Sequence, residues 1–141
     1  MPSSQEELAR SIAVEAHAGQ TDRGGMPYIG HPAHVASMVG GDACKAVAWL
    51  HDVLEDTCMT ARDLISCGIA SEVVEAVSAM THMSGEPYAD YIERVRRNPI
   101  ARQVKIADLR HNMDTSRLPE VGERDRMRIA KYRKALAALA P

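Results

Sequence analysis

The stretch AWLHDVLEDT, residues 48–57, decides the fold and indicates the chemistry of this chain. It places the adjacent residues His51 and Asp52 inside an apolar segment typical of a buried helix, and Glu55 and Asp56 follow one helical turn later. Burying four ionisable groups so close together is costly unless they pair with one another or bind a cation. Residues four apart share one face of an α-helix, so the two later carboxylates are predicted to stack over the His–Asp pair. The pattern predicts a metal site with an acid–base pair beside it.

Two other stretches supply further candidate ligands. His31 stands directly before Pro32, a residue type that can open a helix at its first position. Asp108 follows a short apolar run, with Asn112 one turn further along the same predicted helix face. The complete predicted ligand set is His31, His51, Asp52 and Asp108. Two nitrogen and two oxygen ligands suit one divalent ion such as Mn²⁺, Fe²⁺ or Zn²⁺ better than they suit Ca²⁺ or Mg²⁺. Of these ions, Mn²⁺ is the expected one.

Length and composition are typical of a single domain spanning residues 1–141. The chain has no apolar stretch approaching about 20 residues, so no transmembrane helix is predicted, and its polar, acidic N-terminus does not resemble a signal peptide. Its three cysteines lie far apart and are predicted to be reduced. A net charge of −2 argues against general nucleic-acid binding. We therefore expect a cytoplasmic domain with a small-molecule partner; the sequence leaves homo-oligomer formation open.

Hydrophobic spacing and capping residues predict helices throughout, with no sustained strand alternation. The predicted fold class is all-α, a compact bundle of about six to eight helices. The predicted helices cover residues 4–19, 32–39, 42–56, 60–68, 71–80, 87–97, 99–117 and 122–139.

The order His…His-Asp…Asp resembles the HD phosphohydrolase superfamily. Four strings narrow the resemblance to the hydrolase domain of the RelA/SpoT family: AHAGQ at 16–20, PYIGHP at 27–32, LHDVLEDT at 50–57 and VKIADLRHN at 104–112. This resemblance spans roughly residues 8–118. It implies an enzyme that removes pyrophosphate from the 3′ position of guanosine tetra- or pentaphosphate. HD proteins with two metals need extra histidines before the final aspartate, and that interval contains only His82, so one metal ion is expected.

The resemblance also implies roles for individual residues. Glu55 and Asp56 correspond to the catalytic pair of the family, and they are expected to act in acid–base chemistry and in positioning the attacking water, without a division of roles between them.

The substrate pocket is expected to use the loop before His31 and the helix that bears the last metal-binding aspartate. Arg23 keeps one cation of the family loop, whereas Asp22 stands where a second basic residue is usual. On the helix, Asn112 and Thr115 match positions that contact the ribose or base. Lys105 is predicted to share their face and to contact a phosphate, and Arg117 is a weaker candidate.

Two alternative functions remain open at this stage. Asp22 favours an HD phosphohydrolase that acts on another nucleotide or phosphate ester. The other alternative is a non-catalytic domain that binds a metal or a nucleotide, although a binding module has no need for the intact acids Glu55 and Asp56.

Overall fold

The structure, a computed structural model, describes residues 4–116, 118 and 120–140. Among these residues it contains no strand, only an isolated bridge between Thr21 and Pro27. The all-α prediction is therefore confirmed. The helices are α1 (Gln5–Ala16), α2 (Gly30–Ser37), α3 (Asp42–Leu50), α4 (Val53–Asp56), α5 (Ala61–Ser66), α6 (Ser71–Ala79), α7 (Tyr88–Arg96), α8 (Pro99–Asn112) and α9 (Glu123–Leu139).

Several helix starts follow from side-chain capping, as the sequence predicts. The Ser4 hydroxyl accepts a hydrogen bond from the backbone N–H of Glu7 at the start of α1. Thr60 and Asp63 form a reciprocal capping box at the start of α5. Pro99 is the first residue of α8, where its missing N–H costs nothing.

Other predicted starts are shifted by a residue or two. Helix α2 begins at Gly30, so Pro32 is its third residue and not its first. The proline is still tolerated there, because the first-turn N–H groups have no partner within the helix. Ala70, and not Ser71, occupies the cap position of α6, and Pro87 precedes the first residue of α7.

The predicted continuous helix over residues 42–56 is wrong, because the helix is interrupted at His51 and Asp52. Consecutive helical residues point about 100° apart. Here the two neighbouring side chains face the same point, with His51 Nε2 3.1 Å from Asp52 Oδ2. The break between α3 and α4 accounts for this shared direction. The turn continues beyond it, since the Asp56 N–H donates to the Asp52 carbonyl at 2.9 Å.

Helix α8 is shorter than predicted and ends at Asn112. Just beyond it, Asp114 Oδ1 accepts a hydrogen bond from the Ser116 N–H at 2.9 Å, a local turn that competes with helix continuation. Thr115 therefore does not share a helix face with Asp108 and Asn112, and that part of the sequence argument is wrong.

Helix α3 lies at the centre of the bundle, in contact with α1, α2, α6 and α8. Its residues from Ala46 to Leu50 are all buried, which is typical of a helix surrounded by others. The C-terminal end of α3 carries the His–Asp pair, so the packing of the core fixes the position of the candidate metal ligands.

Candidate metal and nucleotide site

Three buried residues from separate helices meet at the end of α3. His31 comes from α2, His51 follows α3, and Asp108 comes from α8. The Oδ1 atom of Asp108 lies 2.8 Å from His31 Nε2 and 3.2 Å from His51 Nε2. Each residue offers a ligand atom within 4.8 Å of the others, a spacing suited to one divalent ion.

Asp52, the fourth predicted ligand, completes this cluster on its more open side. Its Oδ2 atom lies 3.1 Å from His51 Nε2 and 4.0 Å from His31 Nε2. The Tyr28 hydroxyl donates a hydrogen bond to the same oxygen. The structure thus brings all four predicted ligands together, with a tyrosine orienting one of them.

Hydrogen bonds on the far side of each imidazole leave the Nε2 atoms directed at the cluster. His51 Nδ1 lies 2.6 Å from the carbonyl oxygen of Ala48, so this nitrogen carries a proton and donates it. His31 Nδ1 lies 2.7 Å from Nδ1 of His111, whose ring stacks on both His31 and His34. Such outer contacts fix the tautomer and orientation of metal-binding histidines. The donor set and its orientation fit a divalent cation.

The ionisable groups of the cluster shift one another's pKa values. Burial raises the pKa of Asp108, but Lys105, whose Nζ lies 3.0 Å from its Oδ2, acts together with His51 and His31 to outweigh burial and to hold that pKa well below its usual value. Burial lowers the pKa of His51, yet Asp52 and Asp108 outweigh it and raise that pKa well above the ordinary value. Asp52 in turn has a pKa of about 2, because His51 overcomes the effect of burial.

Glu55 and Asp56 follow one turn after the ligand pair, and both are exposed. The backbone N–H of His82 donates to the Glu55 carboxylate and fixes its direction. Burial raises the pKa of Glu55, against the opposing effect of that hydrogen bond. Burial also raises the pKa of Asp56, with the charge of Asp52 adding to the shift. Carboxyl groups with raised pKa values are typical of acid–base residues.

A cavity of about 390 Å³ opens onto His31 and contains two of the four predicted substrate contacts, Arg23 and Asn112. Thr115 and Lys105 are not among the described residues that line it; Lys105 is directed at Asp108 instead. Arg117 lies outside the described residues. The cavity is lined by Thr21, Asp22, Arg23, Gly24, Tyr28, His31, Asn112, Asp114, Leu118, Arg128 and Tyr132.

Asp22 stabilises the loop that forms part of the cavity wall. Its Oδ1 atom accepts hydrogen bonds from the backbone N–H groups of Gly24 at 2.9 Å and Met26 at 3.0 Å. Aspartate commonly builds such turns with its own backbone. The carboxylate that departs from the family pattern is therefore compensated by N–H groups of its loop.

Helix α9 contributes residues that the sequence analysis missed. Arg128 and Tyr132 line the cavity, and Asp125 binds both Arg128 and Arg23, the latter with Nη1 2.9 Å from Oδ1. The only signal in the sequence was a basic stretch in the last helix, which by itself is more typical of a solvated face. The long-range packing of α9 beside the loop is what brings these side chains to the cavity.

The fold and the His–Asp cluster define an all-α domain of the HD type. No family model matches the chain. It is 34% identical over 148 residues to a probable GTP pyrophosphokinase of Mycobacterium leprae, with 94% of this chain covered. It is 34% identical over 135 residues to the guanosine-3′,5′-bis(diphosphate) 3′-pyrophosphohydrolase of Haemophilus influenzae, with 85% covered. With the bifunctional (p)ppGpp synthase/hydrolase SpoT of Escherichia coli K12 the identity is 32% over 118 residues, with 74% covered.

The chain spans only about a fifth of the length of these relatives, 18%, 20% and 17% in the same order. The solved structure of a metazoan ortholog of SpoT that hydrolyses ppGpp matches with a TM-score of 0.80, covering 99% of this chain and 86% of that one. At 20% identity this match establishes the fold. The resemblance to the hydrolase domain of the RelA/SpoT family is confirmed. Within the described part of the chain, no helix has the length and apolarity that crossing a membrane requires.

Proposed function

We propose that this chain is a metal-dependent hydrolase that removes pyrophosphate from the 3′ position of guanosine tetra- or pentaphosphate or of a related nucleotide. One observation carries the proposal: a cavity with the cation Arg23 and the amide Asn112 in its wall opens directly onto the buried His–Asp cluster. The names of the relatives, which include 3′-pyrophosphohydrolases, support the same substrate.

We propose one Mn²⁺ ion as the cofactor, held by the four predicted ligands, with Fe²⁺ and Zn²⁺ as alternatives. The mixed set of imidazole nitrogens and carboxylate oxygens supports an ion of this type. When bound, a divalent ion supplies Lewis-acid activation of a phosphate and of a water molecule. Lys105 holds Asp108 in place at 3.0 Å, so its position favours support of a ligand over the predicted phosphate contact.

Glu55 and Asp56 are the groups proposed to accept the proton of the attacking water. In the proposed reaction, the carboxylate of Glu55 or Asp56 accepts a proton from the water that attacks phosphorus, and the neighbouring carboxylate orients that water. The bond between phosphorus and the 3′ oxygen breaks, and the proton held by the acid passes to that oxygen, so that pyrophosphate and a 3′ hydroxyl are released. Two interacting carboxylates titrate as a pair, so one of them can hold a proton while the other is ionised. The His82 N–H keeps Glu55 in a fixed direction during this exchange.

The cavity wall supplies the nucleotide contacts. The guanidinium groups of Arg23 and Arg128 can bind phosphate oxygens or stack on a purine, and the Tyr132 ring offers a second stacking face. Asn112 remains the proposed contact to the ribose or base. Thr115 remains a prediction for the same role.

The direct test is an assay for pyrophosphate released from guanosine tetraphosphate in the presence of Mn²⁺, beside a panel of other nucleotides, a phosphodiester and a phosphomonoester. Release from the guanosine 3′ end, faster than from any other compound, is expected. Turnover of another panel member with none from guanosine tetraphosphate would contradict the proposed substrate.

A second candidate is an HD phosphohydrolase of another nucleotide or phosphate ester. It is favoured by Asp114 in the cavity wall and by Asp22, which replaces a basic residue of the family even though N–H groups of its loop bind its carboxylate. The same panel separates it from the first. A cytoplasmic location and a lack of nucleic-acid partners stay predictions from the sequence. Homo-oligomer formation stays open.

A further inference from the structure

A cluster of aromatic and cationic side chains lies between α7 and α9. We call it the tyrosine–lysine cluster; it consists of Tyr88, Tyr91, Lys131 and Tyr132. Lys131 Nζ lies 4.1 Å from the centroid of the Tyr88 ring and 5.9 Å from that of Tyr132. The proposed function uses only Tyr132 from this group.

The hydroxyl group of Tyr88 is buried and has no hydrogen-bond partner among the described residues. The neighbouring Tyr91 behaves differently, since its hydroxyl donates to the carbonyl of Met80 at 2.7 Å. A buried polar group without a partner is destabilising, and its presence in a fold calls for a functional explanation. The Tyr88 hydroxyl is therefore an unused donor, which a ligand can engage once the hydroxyl is exposed.

Lys131 is also available to an anion. Among the described residues it forms no ion pair, and its ammonium lies over the rings of Tyr88 and Tyr132. A contact between an exposed ammonium and an aromatic ring is weak compared with a charge-assisted hydrogen bond to phosphate. An incoming phosphate can therefore draw Lys131 away from the ring of Tyr88; binding to the buried hydroxyl requires that this movement also expose it.

The cluster adjoins the site already described. Tyr132 lines the cavity that reaches His31. Burial raises the pKa of Tyr88, the charge of Lys105 opposes that shift, and the charge of Asp108 adds to it. The Tyr88 hydroxyl thus keeps its proton for donation.

We propose that the Tyr88 hydroxyl and the Lys131 ammonium form a phosphate-binding subsite that holds the pyrophosphoryl group of the nucleotide. The hydroxyl donates to one phosphate oxygen, and the ammonium pairs with another. This inference rests on the proposed function, because the subsite would hold the pyrophosphate that the proposed hydrolysis releases.

Binding of inorganic pyrophosphate to the full, metal-free chain, measured by calorimetry, tests the subsite without turnover. Tyr88→Phe and Lys131→Gln are each expected to weaken binding by about tenfold, the effect of losing one hydrogen bond to a charged group. Lys134→Gln, which removes the same charge from an exposed position of α9, is the matched control and should change the affinity by less than about twofold.

Thermal unfolding separates this role from a structural one. Tyr88→Phe removes a hydroxyl without a partner, so its melting temperature should equal or exceed that of the parent. A lower melting temperature, unchanged affinity in either variant, or a parent that binds no pyrophosphate would overturn the subsite. A parent that binds pyrophosphate through these residues but hydrolyses no nucleotide would instead overturn the proposed function.

Discussion

Among single residues, His51 couples metal binding to protons. Asp52 and Asp108 raise the pKa of its imidazole above the ordinary value despite burial, so the metal-free chain carries a proton that a metal ion must displace. The affinity for Mn²⁺ should therefore increase as the pH rises towards the raised pKa of His51. Calorimetry in two buffers of different ionisation enthalpy measures the released proton directly. A proton count of zero would contradict the described charge state.

The acid pair gives a second prediction at the scale of residues. Glu55→Gln and Asp56→Asn should each lower kcat by about 10²–10⁴-fold, because each removes a proton acceptor or a water-positioning group. Both variants should keep one metal ion per chain, as neither residue is a proposed ligand. Glu72→Gln, at an exposed position of α6, is the control. Unchanged kcat in both acid variants would contradict the roles proposed for Glu55 and Asp56 in the reaction.

The sequence predicts some site residues far better than others. The four proposed metal ligands stand in short strings whose spacing and chemistry are distinctive. Asp125 and Arg23, by contrast, are 102 residues apart, and nothing local predicts their ion pair. The same holds for Tyr28, whose bond to Asp52 depends on how a loop packs against the end of α3.

At the scale of elements, the central position of α3 should make its packing a major contribution to stability. Leu50 is fully buried directly before the His–Asp pair. Leu50→Ala should reduce the free energy of unfolding by about 2–5 kcal/mol, as measured by urea denaturation. Ile65→Ala on α5, where the side chain is 49% exposed, is the control and should cost much less. Equal losses in the two variants would contradict the central role of α3.

Helix starts could be predicted from capping residues, whereas two helix ends could not. Ser4, Thr60 and Pro99 act within their own first turns, so local chemistry is sufficient. The break at His51 lies where His31 and Asp108, from other helices, face the same point, and no local pattern reveals that arrangement. The end of α8 at Asn112 depends on a turn that competes with the helix and that the apolar pattern does not reveal.

For the whole molecule, the charges of the cluster predict how stability depends on pH. The raised pKa of His51 contributes stability to the metal-free chain below about pH 6.5, and this contribution is lost as the pH rises through the folded-state pKa. The pKa of Asp52, lowered to about 2, contributes stability above its model value of 3.8 that is lost as the pH falls towards 2. The melting temperature with EDTA should therefore be highest between about pH 3.8 and about pH 6.5.

With saturating Mn²⁺, the melting temperature should no longer fall as the pH rises through the pKa of His51. The ion binds only the folded chain and replaces the proton on His51. Melting temperatures measured across pH with EDTA and with Mn²⁺ give the comparison. Parallel curves in the two conditions would show that the cluster does not bind the ion.

The measurement that most directly tests the central claim is a titration of the metal-free chain with Mn²⁺ while pyrophosphate release from guanosine tetraphosphate is followed. If the cavity and the His–Asp cluster form one active site, the rate should rise from zero and saturate at one ion per chain, and His51→Ala should bind no stoichiometric metal and show no turnover. Hydrolysis that is independent of the metal, or a His51→Ala variant that retains one bound ion, would contradict the account.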